Sequence, residues 1–234
     1  EMLRILNSRG IEVKLNSKTT ELQENGSYTT VITSQGNFDA EAVLVAIGRK
    51  PATDELELHN ADIKTDERGY IITNDYLKVS DHIWAMGDVA KTPQFTYMSL
   101  DDYRIVRDQL FGDSKRNRLD RKNIATSVFT YPTLAQVGLT EQQAKAAELQ
   151  FEVKKIAANS IPKAKILGQT DGLLKAIIEK ESTRILGVTL FCAEGHELIN
   201  ICKLAIDNNI TADQLKNQIY THPTMAEALN DLFA

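Results

Sequence analysis

From Ala42 to Ile47 the chain reads Ala-Val-Leu-Val-Ala-Ile, and the run stops at Gly48, Arg49, Lys50 and Pro51. Six apolar residues in a row are too uniform for a half-exposed surface element. They read as a strand buried on both faces, closed where Gly frees the backbone and Pro forbids continuation. The run therefore predicts a sheet with covered faces and a boundary near residue 50.

On either side of it the periodicity changes. Met2, Leu3, Ile5 and Leu6 repeat with helical spacing up to Gly10, and Ile11, Val13 and Leu15 then alternate as in a strand. Thr19 to Leu22 and Tyr28 to Thr33 form a predicted hairpin across Glu24, Asn25 and Gly26. Beyond residue 51 the strand signals are short, Gly69 to Thr73 and His82 to Met86, before a periodic segment from Phe95 to Phe111 that Gly112 stops. Asp113 to Lys122 is polar and mixed in charge, as in an exposed connector.

After this connector the pattern is α+β. Thr126 to Phe129, Ala135 to Val137, Phe151 to Ala157, Leu173 to Glu179 and Ile185 to Phe191 are predicted strands. Thr140 with Gln143 is a capping-box signature, Glu194 to Asp207 carries one broad apolar face, and further helices are expected near Thr211 and Thr224.

Composition excludes several classes. Against 27 Lys plus Arg stand 32 Asp plus Glu, a net charge of −5, which is the wrong sign for tracking phosphates, so no nucleic-acid partner is expected. No apolar run approaches the roughly 20 residues of a membrane span, and Glu1-Met2-Leu3-Arg4 does not begin a signal peptide; no membrane partner and a soluble, cytoplasmic protein are expected. Cys192 and Cys202 lie outside any CxxC or Cys/His cluster and read as buried structural thiols. His59, His82 and His196 have no second ligand at metal spacing, so no metal site is expected. GxGxxG, P-loop, GxSxG and CxxxxC patterns are all missing from the 234 residues.

Two places can carry chemistry. Ile83 to Met86 runs into Gly87, Asp88, Val89 and Ala90, and a Gly before an Asp at a strand end lets backbone and carboxylate approach a ligand hydroxyl; the same pair also makes an ordinary turn. In Thr221-His222-Pro223-Thr224-Met225-Ala226-Glu227, Thr224 and Glu227 have the spacing of a helix cap. Equally, His222 with Glu227 has the makings of an oriented acid/base, since a carboxylate fixes the tautomer and stabilises imidazolium.

Taken together, Val43 to Pro51, Gly69 to Thr73, Ile83 to Ala90, Val128 to Thr140 and His222 to Glu227 resemble, in order and spacing, the second half of a pyridine nucleotide-disulfide oxidoreductase. Glutathione reductase and dihydrolipoamide dehydrogenase belong to this family. The resemblance implies an α/β and α+β architecture: residues 1–46 as the tail of an NAD(P)-binding domain, 47–120 as the returning segment of an FAD-binding domain with a linker, and 124–234 as an α+β interface domain that makes a homodimer. It implies FAD and NAD(P)H as cofactors and a small-molecule disulfide or a metal ion as substrate. Asp88 matches the family's contact to the FAD ribityl chain, with Gly87 giving close approach and Thr96 and Tyr97 beginning the helix under the flavin. Gly48 matches the turn between the nucleotide domains. His222 and Glu227 match the acid/base pair that serves the partner subunit's dithiol.

The same resemblance makes the chain a C-terminal fragment, expected to be inactive alone because the redox cysteines and Gly-rich loops are not in it. Phe95 to Tyr103, Arg104 to Val106 and Leu229 to Leu232 resemble the bacterial reactive-chlorine-resistance flavoproteins, a mercuric-reductase-like group associated with copper(II) reduction. Glutathione reductase or dihydrolipoamide dehydrogenase proper is the alternative. A non-catalytic dimerisation module is a further one.

Overall fold

The helical spacing at the start produces α1 (Met2–Ser8), which buries Ile5. The computed structural model describes residues 1–234, and these form two compact units: Lys14–Arg121, and Glu1–Val13 together with Lys122–Ala234.

The unit Lys14–Arg121 opens with β1 (Thr19–Glu24), β2 (Thr29–Thr33) and β3 (Gly36–Ala40) in an antiparallel sheet of that order. The hairpin at Asn25-Gly26 is present, with Asn25 N–H donating to Tyr28 O at 2.8 Å. Two expected strands are not formed. Ile11 to Leu15 has no partner strand, and Ala42 to Ile47 is irregular, with Leu44 90% and Ile47 93% exposed. An apolar run becomes a buried strand only beside other strands, and the three-stranded sheet ends at β3.

Further on, Gly69 to Thr73 contributes only the isolated bridge Thr65–Ile71. Short β4 (Lys78–Ser80) pairs with β5 (Ile83–Trp84), which leads into a 3-10 turn, Gly87–Ala90. The periodic segment is α2 (Thr96–Phe111), whose buried face is Met98, Asp102 and Ile105. Ile71, Leu77, Ala85, Ala90 and Ile105 make a small apolar core. The polar stretch after α2 is no free connector: Arg116 and Arg121 pair with Asp101, and the Arg121 side chain is only 11% exposed.

In the other unit, β6 (Thr126–Val128), β7 (Thr133–Gly138), β8 (Phe151–Ala157), β9 (Leu173–Glu179) and β10 (Ile185–Cys192) form one antiparallel sheet, ordered β6-β7-β10-β9-β8. Between β7 and β8, α3 (Glu141–Ala146) starts at a complete capping box of Thr140 and Gln143. Pro at the first turn opens α4 (Pro162–Ile166), and α5 (Gly195–Asp207) packs on β10 and β7. A second complete capping box, Thr211 with Gln214, starts α6 (Ala212–Lys216). The last helix, α7 (Ala228–Leu232), begins four residues after Thr224.

One continuous core joins sheet and helices through Leu174, Val188, Leu190, Ile199, Leu229 and Leu232, among others. Each such side chain contributes roughly 1.5–3 kcal/mol by leaving water. To the sheet of this unit α1 is tied by Arg4, which pairs with Asp171 at 3.0 Å, and by the Arg9 guanidinium lying 5.0 Å from the Tyr131 ring centroid.

Close backbone approach fixes the centre of the sheet. Gly187 on β10 faces Gly138 on β7, beside a register shift between Ile185 and Gly187. A Cβ on Gly187 would lie 2.0 Å from Leu139 O, and one on Gly138 2.3 Å from Leu186 O. No side chain fits there without parting β7 from β10. Gly187→Ala is expected to destabilise the protein by about 3 kcal/mol or more, the upper end of overpacking costs, as measured by denaturant unfolding. An unchanged midpoint would show that the strands part at little cost.

Candidate functional site

Asp88 sits in the 3-10 turn Gly87–Ala90 at the end of β5. Gly87 has φ +76°, and a Cβ there would meet Ser99 Oγ at 3.2 Å, so the turn requires glycine. The Asp88 carboxylate is 44% exposed and faces Arg49 Nη1 at 3.7 Å, too far for a good hydrogen bond. It is therefore a nearly free anionic acceptor.

The underside of the turn rests on a buried carboxylate. Asp102, completely buried on α2, accepts from Gly87 N–H at 2.6 Å and Thr92 Oγ1–H at 2.8 Å, and its other oxygen accepts from Arg121 Nη2. Neighbouring Asp101 accepts from Arg121 Nε at 2.8 Å and from Arg116. Burial opposes ionisation of Asp101, but the two guanidiniums outweigh it and hold its carboxyl below the usual range. Asp102, Thr92, Arg121 and Arg49 were not among the candidate site residues of the sequence. One signal for Asp102 existed, a charged residue in register with Met98 and Ile105 on the buried face of α2.

Thr96 and Tyr97 form the exposed first turn of α2, and Tyr97 stacks on Phe95 with ring centroids 5.1 Å apart. Gly48 adopts φ +124° in an open segment.

In the other unit, His222 lies in an exposed turn that contains a cis His222-Pro223 bond; Tyr131-Pro132 is also cis. Its Nδ1 is 2.9 Å from Glu227 Oε1, while Glu227 Oε2 accepts from Thr224 N–H at 2.8 Å. One carboxylate thus orients both the ring and the turn. With the Glu227 carboxylate as acceptor, Nδ1 carries the ring proton and donates it, which leaves Nε2 for another partner on a side chain 69% exposed. The bond from Thr224 N–H, followed by the one from His222, lowers the Glu227 pKa. The capping reading is corrected in one respect. Thr224 Oγ1 donates to Thr221 O at 2.7 Å instead of capping, and Glu227 is itself the residue before α7.

His196 has 37% of its side chain exposed, with its ring 5.5 Å from Phe129, and no group of three His, Cys, Asp or Glu gathers anywhere in the chain. Cys192 and Cys202 are buried free thiols pushed up to about 12 by desolvation, which makes both poor nucleophiles. No helix is long and apolar enough to cross a membrane.

Comparison with known proteins decides the family. Residues 1–102 match the pyridine nucleotide-disulphide oxidoreductase domain, and residues 124–233 match the dimerisation domain of the same enzymes. The chain belongs to the pyridine nucleotide-disulphide oxidoreductases. This family uses FAD and NAD(P)H. Over 231 residues the chain is 43% identical to the probable pyridine nucleotide-disulfide oxidoreductase RclA of Escherichia coli, covering 98% of the chain and 52% of that protein. It is 31% identical to a mercuric reductase of Staphylococcus aureus, covering 96% of the chain and 42% of the relative. The solved HOCl-induced flavoprotein disulfide reductase RclA from Escherichia coli superposes with a TM-score of 0.95 at 42% identity, covering 99% of the chain and 54% of the other. A Cu(II) complex of the same reductase superposes equally well, with a TM-score of 0.95. The chain spans about half the length of the relatives it matches.

The lowered Glu227 pKa has a sign that can be tested. A depressed carboxyl adds stability above its ordinary value of 4.5 and loses it as pH falls through the folded-state value. Glu227→Gln keeps an acceptor but loses the charge. Its thermal midpoint is expected to lie below the parent's at neutral pH, the gap closing as pH falls below 4.5. A gap independent of pH would mean that the charge does not matter.

Proposed function

We propose that these residues are the part of an FAD-dependent NAD(P)H:disulfide or metal-ion oxidoreductase that contacts the flavin ribityl chain through Asp88 and supplies His222 and Glu227 as the acid/base for a partner subunit's dithiol. The observation that carries this reading is the 2.9 Å Nδ1–Oε1 contact, which orients an exposed imidazole with Nε2 free. In domain terms, residues 1–46 are the tail of the NAD(P)-binding domain, 47–120 the returning FAD-binding segment entered through the Gly48 turn, and 124–234 the interface domain.

The Gly87–Asp88 turn suits FAD, because its glycine keeps the backbone low and its carboxylate faces outward nearly unpaired. FAD, when bound, supplies the passage of electrons from NAD(P)H to the substrate. Asp88 would accept from a ribityl hydroxyl, and Thr96 with the stacked Phe95 and Tyr97 would help to hold the group. At the other site Nε2 of His222 takes a proton from one thiol and returns it to the leaving thiolate, with Glu227 stabilising the imidazolium in between. Neither Cys192 nor Cys202 can serve as that dithiol, since both are buried with pKa values near 12, so these residues alone would be inactive.

A homodimer through residues 124–234 fits the exposed apolar side chains Phe129, Tyr131, Leu204 and Ile219. α7 adds no apolar side chain of that kind, since it buries Ala228, Leu229 and Leu232. A metal ion as substrate is the second reading, supported by the Cu(II) complex of one relative and the mercuric reductases among the others.

In the flavin-loaded protein, His222→Gln is expected to leave reduction of the flavin by NAD(P)H nearly normal and to slow thiol-dependent turnover by roughly 10² to 10⁴. Stopped-flow absorbance with a disulfide and with copper(II) checks this. An unchanged disulfide reaction would end the acid/base assignment, whereas slowing with the disulfide alone would support both substrate readings. Asp88→Ala is expected to weaken FAD binding by about tenfold or more, the worth of a charged hydrogen bond, in a fluorescence titration of apoprotein.

A further inference from the structure

The deepest charge in the unit Lys14–Arg121 is one that the proposed function does not use. Asp102 is 0% exposed, yet it carries no ligand-facing atom: Oδ2 accepts from Gly87 N–H and Thr92 Oγ1–H, and Oδ1 accepts from Arg121. Gly87 and Thr92 bracket Asp88. The segment between them is otherwise held by Ile71 N–H donating to Val89 O at 2.8 Å, by buried Ala90, and by the Lys91 ammonium on Asp66 at 2.9 Å, a pair whose lysine is exposed. Exposed pairs contribute little, whereas a buried carboxylate binds its donors strongly because water cannot replace it.

We propose that Asp102 is a positioning residue for the flavin site, its buried carboxylate clamping both ends of the segment Gly87–Thr92 so that the Asp88 carboxylate is held facing outward. This rests on the reading of Asp88 as a flavin contact. Three donors converge on two oxygens, an arrangement that only a carboxylate satisfies. An amide at the same place would turn an N–H₂ group toward Gly87 N–H or toward Arg121, and one donor would be left buried without an acceptor. Arg121 is the last residue of this unit, so the clamp also fixes where the chain leaves it.

A double-mutant cycle on FAD affinity, measured by flavin fluorescence on the apoprotein of the full flavoprotein, tests the assignment. Asp102→Asn is expected to raise the FAD dissociation constant about tenfold in the parent. In an Asp88→Ala background the same change is expected to have an effect within about twofold, since Asp102 then has nothing to position. Equal weakening in both backgrounds would overturn the proposal while leaving Asp88 as a flavin contact. Should Asp88→Ala alone leave affinity unchanged, the Asp88 reading falls, and the positioning role with it. If Asp102→Asn does not fold, Thr92→Val carries the same cycle, because it removes one donor and leaves the ion pair with Arg121 in place. Its expected effect is smaller, about threefold in the parent and absent in Asp88→Ala.

Discussion

The buried carboxylate of Asp102 is the constraint on which the unit Lys14–Arg121 depends. Its apolar core is small, five buried residues with a few partly buried neighbours, and its strands are two to six residues long. Hydrophobic burial on that scale cannot by itself specify how a short turn, a helix and an exiting segment meet. A buried ion pair with directional bonds can, because each donor has one acceptable position. Removing one partner of such a pair costs about 3–5 kcal/mol, which exceeds the worth of most single apolar contacts in the unit.

The other unit is organised on the opposite principle. Central strand β10 is buried along nearly its whole length and pairs on both edges, so the sheet is set by packing and by the Gly138–Gly187 crossing instead of by charge. Its ion pairs lie on the outside. Glu141, held by Lys145 and Lys175 with its pKa lowered to about 2, links the start of α3 to β9 at the surface. A rigid sheet of this kind is a sound platform for an exposed His222–Glu227 pair, whose geometry depends on a turn anchored by buried Met225, Ala228 and Leu229.

How legible this was in the sequence follows the same division. Where local pattern decides, the structure follows it: Phe151 to Ala157 and Leu173 to Glu179 are strands over those residues, and the Thr140 and Thr211 caps start α3 and α6. Where pairing partners decide, it does not. Ala42 to Ile47 has strand composition and no neighbouring strand, and β3, with polar Asn37 and Asp39, is a strand because β2 offers it an edge. The candidate residues were legible as motifs, Gly-Asp after a strand and His-Pro with Glu five residues on. Their supports were not. Asp102 reaches Gly87 across 15 residues and Arg121 across 19, separations at which single-sequence patterns carry no signal.

Both candidate groups are built as halves of contacts. Asp88 is held on its backbone side, where its carbonyl accepts from Lys91 N–H at 3.1 Å, and open on its carboxylate; His222 is satisfied at Nδ1 and open at Nε2. A residue whose role was purely structural would have its polar atoms turned inward, as Asp102 does, because an inward bond gains the most from a low dielectric. An exposed acceptor and an exposed imidazole, each oriented by a well-placed second group, gain little stability for the protein itself. Their arrangement makes sense as preorganisation: under the proposed function, the ordering of Asp88 and His222 is completed during folding, and the flavin hydroxyl and the thiol meet groups that need not move.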